Sequence, residues 1–113
     1  MEQHYKLFRV RELADNDEDF VKSIVEAFLE EVPVDAERLQ KAVAETDYYN
    51  AYQAAHKMKP TVDLFELGVL DDLIVVQDWG KFEKVGEDCS HELELVLKAV
   101  ENASEELKAD FSL

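Results

Sequence analysis

Apolar positions recur at helical spacing along nearly the whole chain. From Asp17 the acids Asp17, Glu18 and Asp19 crowd a first turn, where they favour the positive end of a helix dipole, with Asn16 or Asp15 as the N-cap. Phe20, Ile24, Phe28 and Val32 follow at four-residue steps, and Val21, Val25 and Leu29 widen the stripe. Pro33 interrupts it, and a shorter pattern (Ala36, Leu39, Val43) continues to about Glu45, which predicts a kinked or two-part helix. Thr46 or Asp47 caps a third segment, with apolar residues at Ala51, Ala55, Met58, Val62, Phe65 and Val69, the stepping of a helix packed in a bundle. After Gly68 come Leu70, Leu73 and Ile74. The next position in phase is Gln77, and this segment ends near Trp79-Gly80. The run Leu73 to Val76 also fits a buried strand, but a lone strand has nothing to pair with in a helical chain, so helix is expected. Phe82 to Asp88, with Gly86, is the last loop before Cys89, Leu93, Val96, Val100, Ala103, Leu107 and Phe111 resume the helical steps. Leu7, Val10 and Leu13 make one or two amphipathic turns at the start. The sum is an all-α fold: an antiparallel up-down four-helix bundle with a short extra N-terminal helix, one domain over residues 1–113.

Composition narrows the function. The chain has 113 residues, 27 acidic against 12 basic, and a formal net charge of −15. That balance argues against a broad nucleic-acid surface, since phosphates must be met by Lys and Arg. Apolar residues make up 47%, enough for one core and too many for a disordered tail. A single cysteine, Cys89, excludes an intramolecular disulfide framework or a multi-thiolate metal site. No secretory signal is visible at Met1 to Lys6, and the longest apolar run, Leu73 to Val76, is far too short to span a membrane. A cytoplasmic location is expected. So is a monomer, because no spare apolar stripe is obvious, and a chain running from Met1 to Leu113 is expected to stand free.

Several chemistries fail on residue grounds. Gly68, Gly80 and Gly86 are isolated, so there is no glycine-rich phosphate loop. A di-iron bundle needs Glu-x-x-His from each of two helices, but Gln53 precedes His56 by three and Asp88 precedes His91 by three. Asp15, Asp17, Asp19, Ser23 and Glu26 imitate a calcium loop, yet its obligatory sixth-position glycine is Phe20, and a capped helix start explains the same acids better. No Gly-x-Ser-x-Gly elbow occurs. The chain is expected to hold no metal or cofactor of its own.

One stretch stands apart. Tyr48 through Val62 is fifteen residues without an acid, and within it lie His56, Lys57 and Lys59. This is the local surface able to tolerate added negative charge. The core stripe passes through Ala55, Met58 and Val62, which places His56 near the solvent boundary, about a hundred degrees round from Ala55. Lys59, three residues on, and Gln53, three back, share its face, while Asp63 and Tyr49 lie a further turn away on either side. A neutral imidazole with a free lone pair is a nucleophile, and a lysine beside it stabilises a phosphoryl group that it acquires. The plain alternative is a surface histidine with two solubilising lysines.

The string Ala55-His56-Lys57-Met58-Lys59-Pro60-Thr61 resembles the phosphoacceptor motif of histidine-containing phosphotransfer (HPt) domains. In that family the motif runs His, any residue, an aliphatic residue, Lys, Gly and two small residues, then an apolar residue and a second Gly. His56 matches the phosphoacceptor, Met58 the aliphatic position, Lys59 the lysine, Thr61 the first small residue and Phe65 the later apolar place. The departures are Pro60 for the first glycine, Val62 for the second small residue and Glu66 for the later glycine. The family fold is a four-helix bundle with a short N-terminal helix, similar to the layout predicted from spacing.

The resemblance implies a phosphorelay intermediate in two-component signal transduction. His56, through Nε2, would take the phosphoryl group of a receiver-domain aspartate and pass it to another receiver, with Lys59, supported by Lys57, as counter-charge. Mg²⁺ would belong to the receiver partner, and the partners would be response-regulator receivers and a hybrid sensor kinase. Gln53, Pro60 and Asp63 would be docking or supporting positions, and Tyr48, Tyr49 and Tyr52 part of the rim, one or two of them packed inside. Pro60 leaves the His56 carbonyl without its i+4 donor and costs about 3 kcal/mol in a helix interior. Because the apolar steps continue in phase past it, a bend beside His56 is expected rather than a break. The alternative is a degenerate adaptor bundle that binds partners without carrying phosphate. His4, in a frayed start, and His91 look incidental.

Overall fold

The computed structural model describes residues 3–113. It contains five helices: α1 (Phe8–Leu13), α2 (Glu18–Ala44), α3 (Tyr48–Leu64), α4 (Leu70–Lys81) and α5 (Ser90–Phe111). Among the described residues there is no strand, so Leu73 to Val76 is helical as expected. Each longer helix packs on its neighbour in the chain, α5 returns to α2, and α1 lies on α2. No helix among the described residues is long and apolar enough to cross a membrane.

The buried positions follow the predicted stripes most closely in α3 and α5. Ala51, Ala55, Met58, Val62 and Phe65 are buried from the third segment, and Cys89, Leu93, Val96, Val100, Ala103 and Leu107 from the last. In α2 the expected Phe28 and Val32 are buried, but in the first turns the inward places go to Val21 and Val25 of the widened stripe, with Ile24 only partly buried and Phe20 51% exposed. Leu13 is likewise outside at 64%, and Ala14 takes the inward place. Phe28 meets Phe65 in the centre, ring centroids 4.7 Å apart.

Two expectations about α2 change. The N-cap is Asp17, whose carboxylate accepts from the backbone N–H groups of Asp19 and Phe20. Asp15 and Asn16 cannot cap because both have left-handed backbone, with φ 51° and 60°, in the turn that ends α1. The helix is also not two-part: it runs continuously for 27 residues through Pro33. Of the calcium-loop imitation, Asp19, Ser23 and Glu26 lie within the helix, Asp17 is its cap and Asp15 belongs to the preceding turn.

All five helices stop in the same way. After each last turn the chain enters left-handed backbone, at Asp15 (followed by Asn16), Thr46, Glu66, Glu83 and Ser112. The N–H of that residue and the N–H of the next return to carbonyls of the last turn, as in Glu66 to Asp63 and Leu67 to Val62. This is the Schellman arrangement, usually closed by glycine because a Cβ costs energy there. Here none of the five is glycine. Thr46→Gly and Glu66→Gly are therefore expected to stabilise the fold by about 1 kcal/mol each, Thr46 more because it is β-branched. Urea midpoints at constant slope would measure this, and an unchanged or lowered midpoint would contradict it.

The segment from Gln3 is tied down, contrary to the frayed start expected at His4. His4 Nδ1 lies 3.0 Å from Glu106 Oε2, and the backbone N–H groups of Gln3 and His4 donate to Glu106 Oε1. Burial of the Glu106 carboxyl favours its neutral form, but these donors outweigh that and hold its pKa below the usual carboxylate range. Tyr5 Oη donates to Asp110, and the Lys6 N–H donates to the Phe65 carbonyl. The segment thus bridges the end of α5 to the end of α3 before α1 begins.

Candidate functional site

α3 starts where Asp47 caps it, accepting from the Asn50 backbone N–H and side-chain amide, which lowers the Asp47 pKa. The helix then runs unbroken to Leu64 with Pro60 inside it. Ala51, Ala54, Ala55, Met58 and Val62 face inward, and this burial fixes which residues face out. His56 and Pro60 are exposed, and Gln53, Lys59 and Asp63 are half-buried.

The three charged neighbours of His56 have different fates. Lys57 Nζ lies 3.2 Å from Asp35 Oδ1 on α2, and the Asp35 side chain is only 8% exposed. Lys57 is thereby committed to a buried carboxylate on the neighbouring helix, where it satisfies a charge that would otherwise be costly. Asp63 is taken by Arg9 of α1, whose guanidinium is 3.2 Å from Oδ1 and also donates to the Asp63 carbonyl. The hydrogen bond and charge of Asp63 raise the Arg9 pKa. Lys59, one turn before Asp63, has no ion-pair partner among the described residues. It shares the His56 face at i+3.

On the other side of His56 the three tyrosines divide. Tyr52 is half-buried with its ring 5.7 Å from the imidazole, centroid to centroid. Tyr48 packs on Trp79 of α4 at 4.6 Å, and Tyr49 is 69% exposed. Tyr49 and Tyr52, with Gly80 and Lys81, line a shallow cleft of about 340 Å³ beside the imidazole's helix turn. The close approach that makes this cleft comes from Gly80. A Cβ there would lie 2.6 Å from the Tyr48 carbonyl oxygen and 2.7 Å from the Tyr52 nitrogen.

α3 therefore brings His56, Lys59, Gln53 and Tyr52 onto one surface, while Lys57 and Asp63 are engaged elsewhere. Such a surface offers an accessible nucleophilic nitrogen, a cation one turn away and an aromatic wall. Sequence reasoning did not find Arg9 or Asp35. Asp35 had a legible signal, because it falls in the apolar phase between Val32 and Leu39, where an acid needs a partner. Arg9 had none, since its partner lies 54 residues away. Neither a protein-family model, nor a curated protein, nor a solved structure matches the chain.

Proposed function

We propose that the protein is a phosphorelay intermediate of the HPt type, accepting a phosphoryl group on His56 and passing it on. The observation that carries this is an exposed imidazole beside a lysine that no acid among the described residues claims, in a chain of charge −15. The transfer forms an N–P bond at the imidazole as the P–O bond to a receiver aspartate breaks, returning the carboxylate. The return transfer is the reverse on a second receiver. Lys59 offsets the phosphoryl charge. The receiver's acidic pocket and Mg²⁺ supply the remaining stabilisation, so the chain itself needs no metal.

An antiparallel up-down arrangement of α2 to α5 belongs to the same proposal. Its support is the order of cross-helix pairs: Asp35 with Lys57, then Arg38 with Asn50 as both helices approach their shared loop. Gly80 near Tyr48 and Tyr52 extends the pattern to α3 and α4.

A second reading, a bundle that docks partners without phosphate chemistry, is favoured by Pro60. Its exposed ring stands one turn from His56, at the place where the family has a glycine. The deciding experiment offers the protein a panel of phosphorylated receiver domains. Acid-labile, alkali-stable label on the wild-type chain is expected. No label from any donor, while a known phosphotransfer domain accepts it in parallel, would leave the adaptor reading.

A further inference from the structure

The face between α2 and α5 carries a trough with an apolar floor and an acidic rim. Pro33, Ala36, Leu97 and Val100 line its floor, in a groove of about 430 Å³. It is a hollow because the facing residues are short: Ala36 on α2, Ser104 on α5. Glu37, Glu101 and Glu105 stand along its edges. A second groove of about 250 Å³, bordered by Glu26, Leu29 and Glu30, shares Lys108 with the first. Together they follow α2 from Glu26 to Gln40, about 21 Å, the length of a four-turn helix.

Two features point to an occupant. Five glutamates face a single lysine along this trough. The trough is more one-sided than the whole chain, with its 27 acids against 12 bases, than the groove at Arg38, Lys41, Glu45 and Asp47, which balances, and than the groove at Arg9, Asp63, Glu66 and Asp71. In addition, Ser104 is 93% buried by area, borders the trough and leaves its Oγ without a hydrogen-bond partner. That buried, unpaired hydroxyl lies sealed beneath the trough and marks the α2–α5 seam as imperfectly satisfied in the chain alone.

We infer that the α2–α5 trough binds an amphipathic helix of a partner protein, with its apolar stripe on the floor and Lys or Arg flanking it. The recognition is the helix-in-groove mode, with anchors at i, i+3, i+4 and i+7. A second copy of this chain is a poor occupant, because its own faces would set carboxylate against carboxylate. The trough lies on α2 and α5, whereas His56 is on α3 between α2 and α4. The inference is therefore independent of the phosphotransfer proposal.

The test uses the full chain and a fluorescein-labelled synthetic helix of about 18 residues, five turns, with Leu at the helical steps and Lys elsewhere. A peptide of equal composition with scattered leucines is the control. The amphipathic peptide is expected to bind at least about tenfold tighter than the scattered one, because only it presents a continuous stripe. Amide NMR shifts should centre on Ala36, Leu97, Val100 and Ser104. The triple variant E37K/E101K/E105K should lose about tenfold or more in affinity. A triple of identical net charge off both helices, E12K/E66K/E87K, should change it by less than about threefold. Equal weakening by both triples, equal binding of both peptides, or shifts centred off α2 and α5 would overturn the inference. So would sedimentation showing that the wild type pairs with itself through this face and the groove triple does not.

Discussion

Gly80→Ala is expected to lower the stability of the fold by about 3 kcal/mol, a large part of the 5–15 kcal/mol typical of a domain. The added methyl meets backbone on both sides, the Tyr48 carbonyl oxygen at 2.6 Å and the Tyr52 nitrogen at 2.7 Å. Backbone cannot rotate away as a side chain can, so α3 and α4 must separate, loosening Tyr48 against Trp79 and the packing beneath Leu73 and Val76. The gain in helix propensity from Gly to Ala, about 1 kcal/mol, acts in the opposite direction and is already counted in that figure. Gly68→Ala provides a contrast. It has open space around it but left-handed backbone at φ 79°, so its cost of about 1 kcal/mol comes from the local conformation alone. Urea unfolding of both variants measures the difference. A Gly80→Ala protein within about 0.5 kcal/mol of wild type would mean that the two helices are not held in this contact.

Gly80 also shows where the sequence stops being informative. A glycine near the end of an apolar pattern reads as a helix stop, and the segment is expected to end near Trp79-Gly80, as it does at Lys81. Gly80 itself is not the stop: it lies inside the helix, which closes on Glu83 in the left-handed region. The residue is small because of what lies opposite it, 28 to 32 positions away, and no local pattern encodes that. The same limit explains Phe20. Its spacing to Ile24 fits the stripe, but at the first turns of α2 the inward face is Val21 and Val25. Which of two adjacent lines faces in depends on the neighbouring helices rather than on period. Where a helix is flanked by partners along its length, as α5 is, period and burial agree from Cys89 to Leu107. At the candidate site, the exposure of His56 and the face shared with Lys59 were legible because the Ala55, Met58, Val62 stripe sets them. The pairing of Lys57 with Asp35 and of Asp63 with Arg9 was not, being set by α2 and α1.

Those two pairings determine what His56 substitutions should do. His56→Gln is expected to abolish phosphoryl acceptance while leaving the fold intact. The side chain is exposed and the inward stripe is untouched, so thermal unfolding should not move. Glutamine supplies no nucleophilic lone pair on nitrogen, because its amide nitrogen is delocalised into the carbonyl. Lys59→Ala should slow acceptance by about tenfold or more, the loss of one charge-assisted contact of 1.5 kcal/mol upward. Lys57→Ala should have a much smaller effect on transfer, because that ammonium is already held by Asp35. Its cost should fall on stability instead, by leaving a nearly buried carboxylate unpaired. Arg9→Ala makes a sharper distinction. Freed of its guanidinium, Asp63 lies four residues after Lys59 and becomes its natural partner, so transfer should fall although Arg9 is on α1 and its partner Asp63 is two turns along α3 from His56. The double variant Arg9→Ala/Asp63→Ala should then recover the wild-type rate, since no acid remains to claim Lys59. Equal rates in Lys57→Ala and Lys59→Ala, or no rescue in the double variant, would show that the freedom of Lys59 is not what equips this face for phosphate. Retention of acid-labile label by His56→Gln would move the acceptor to another residue altogether.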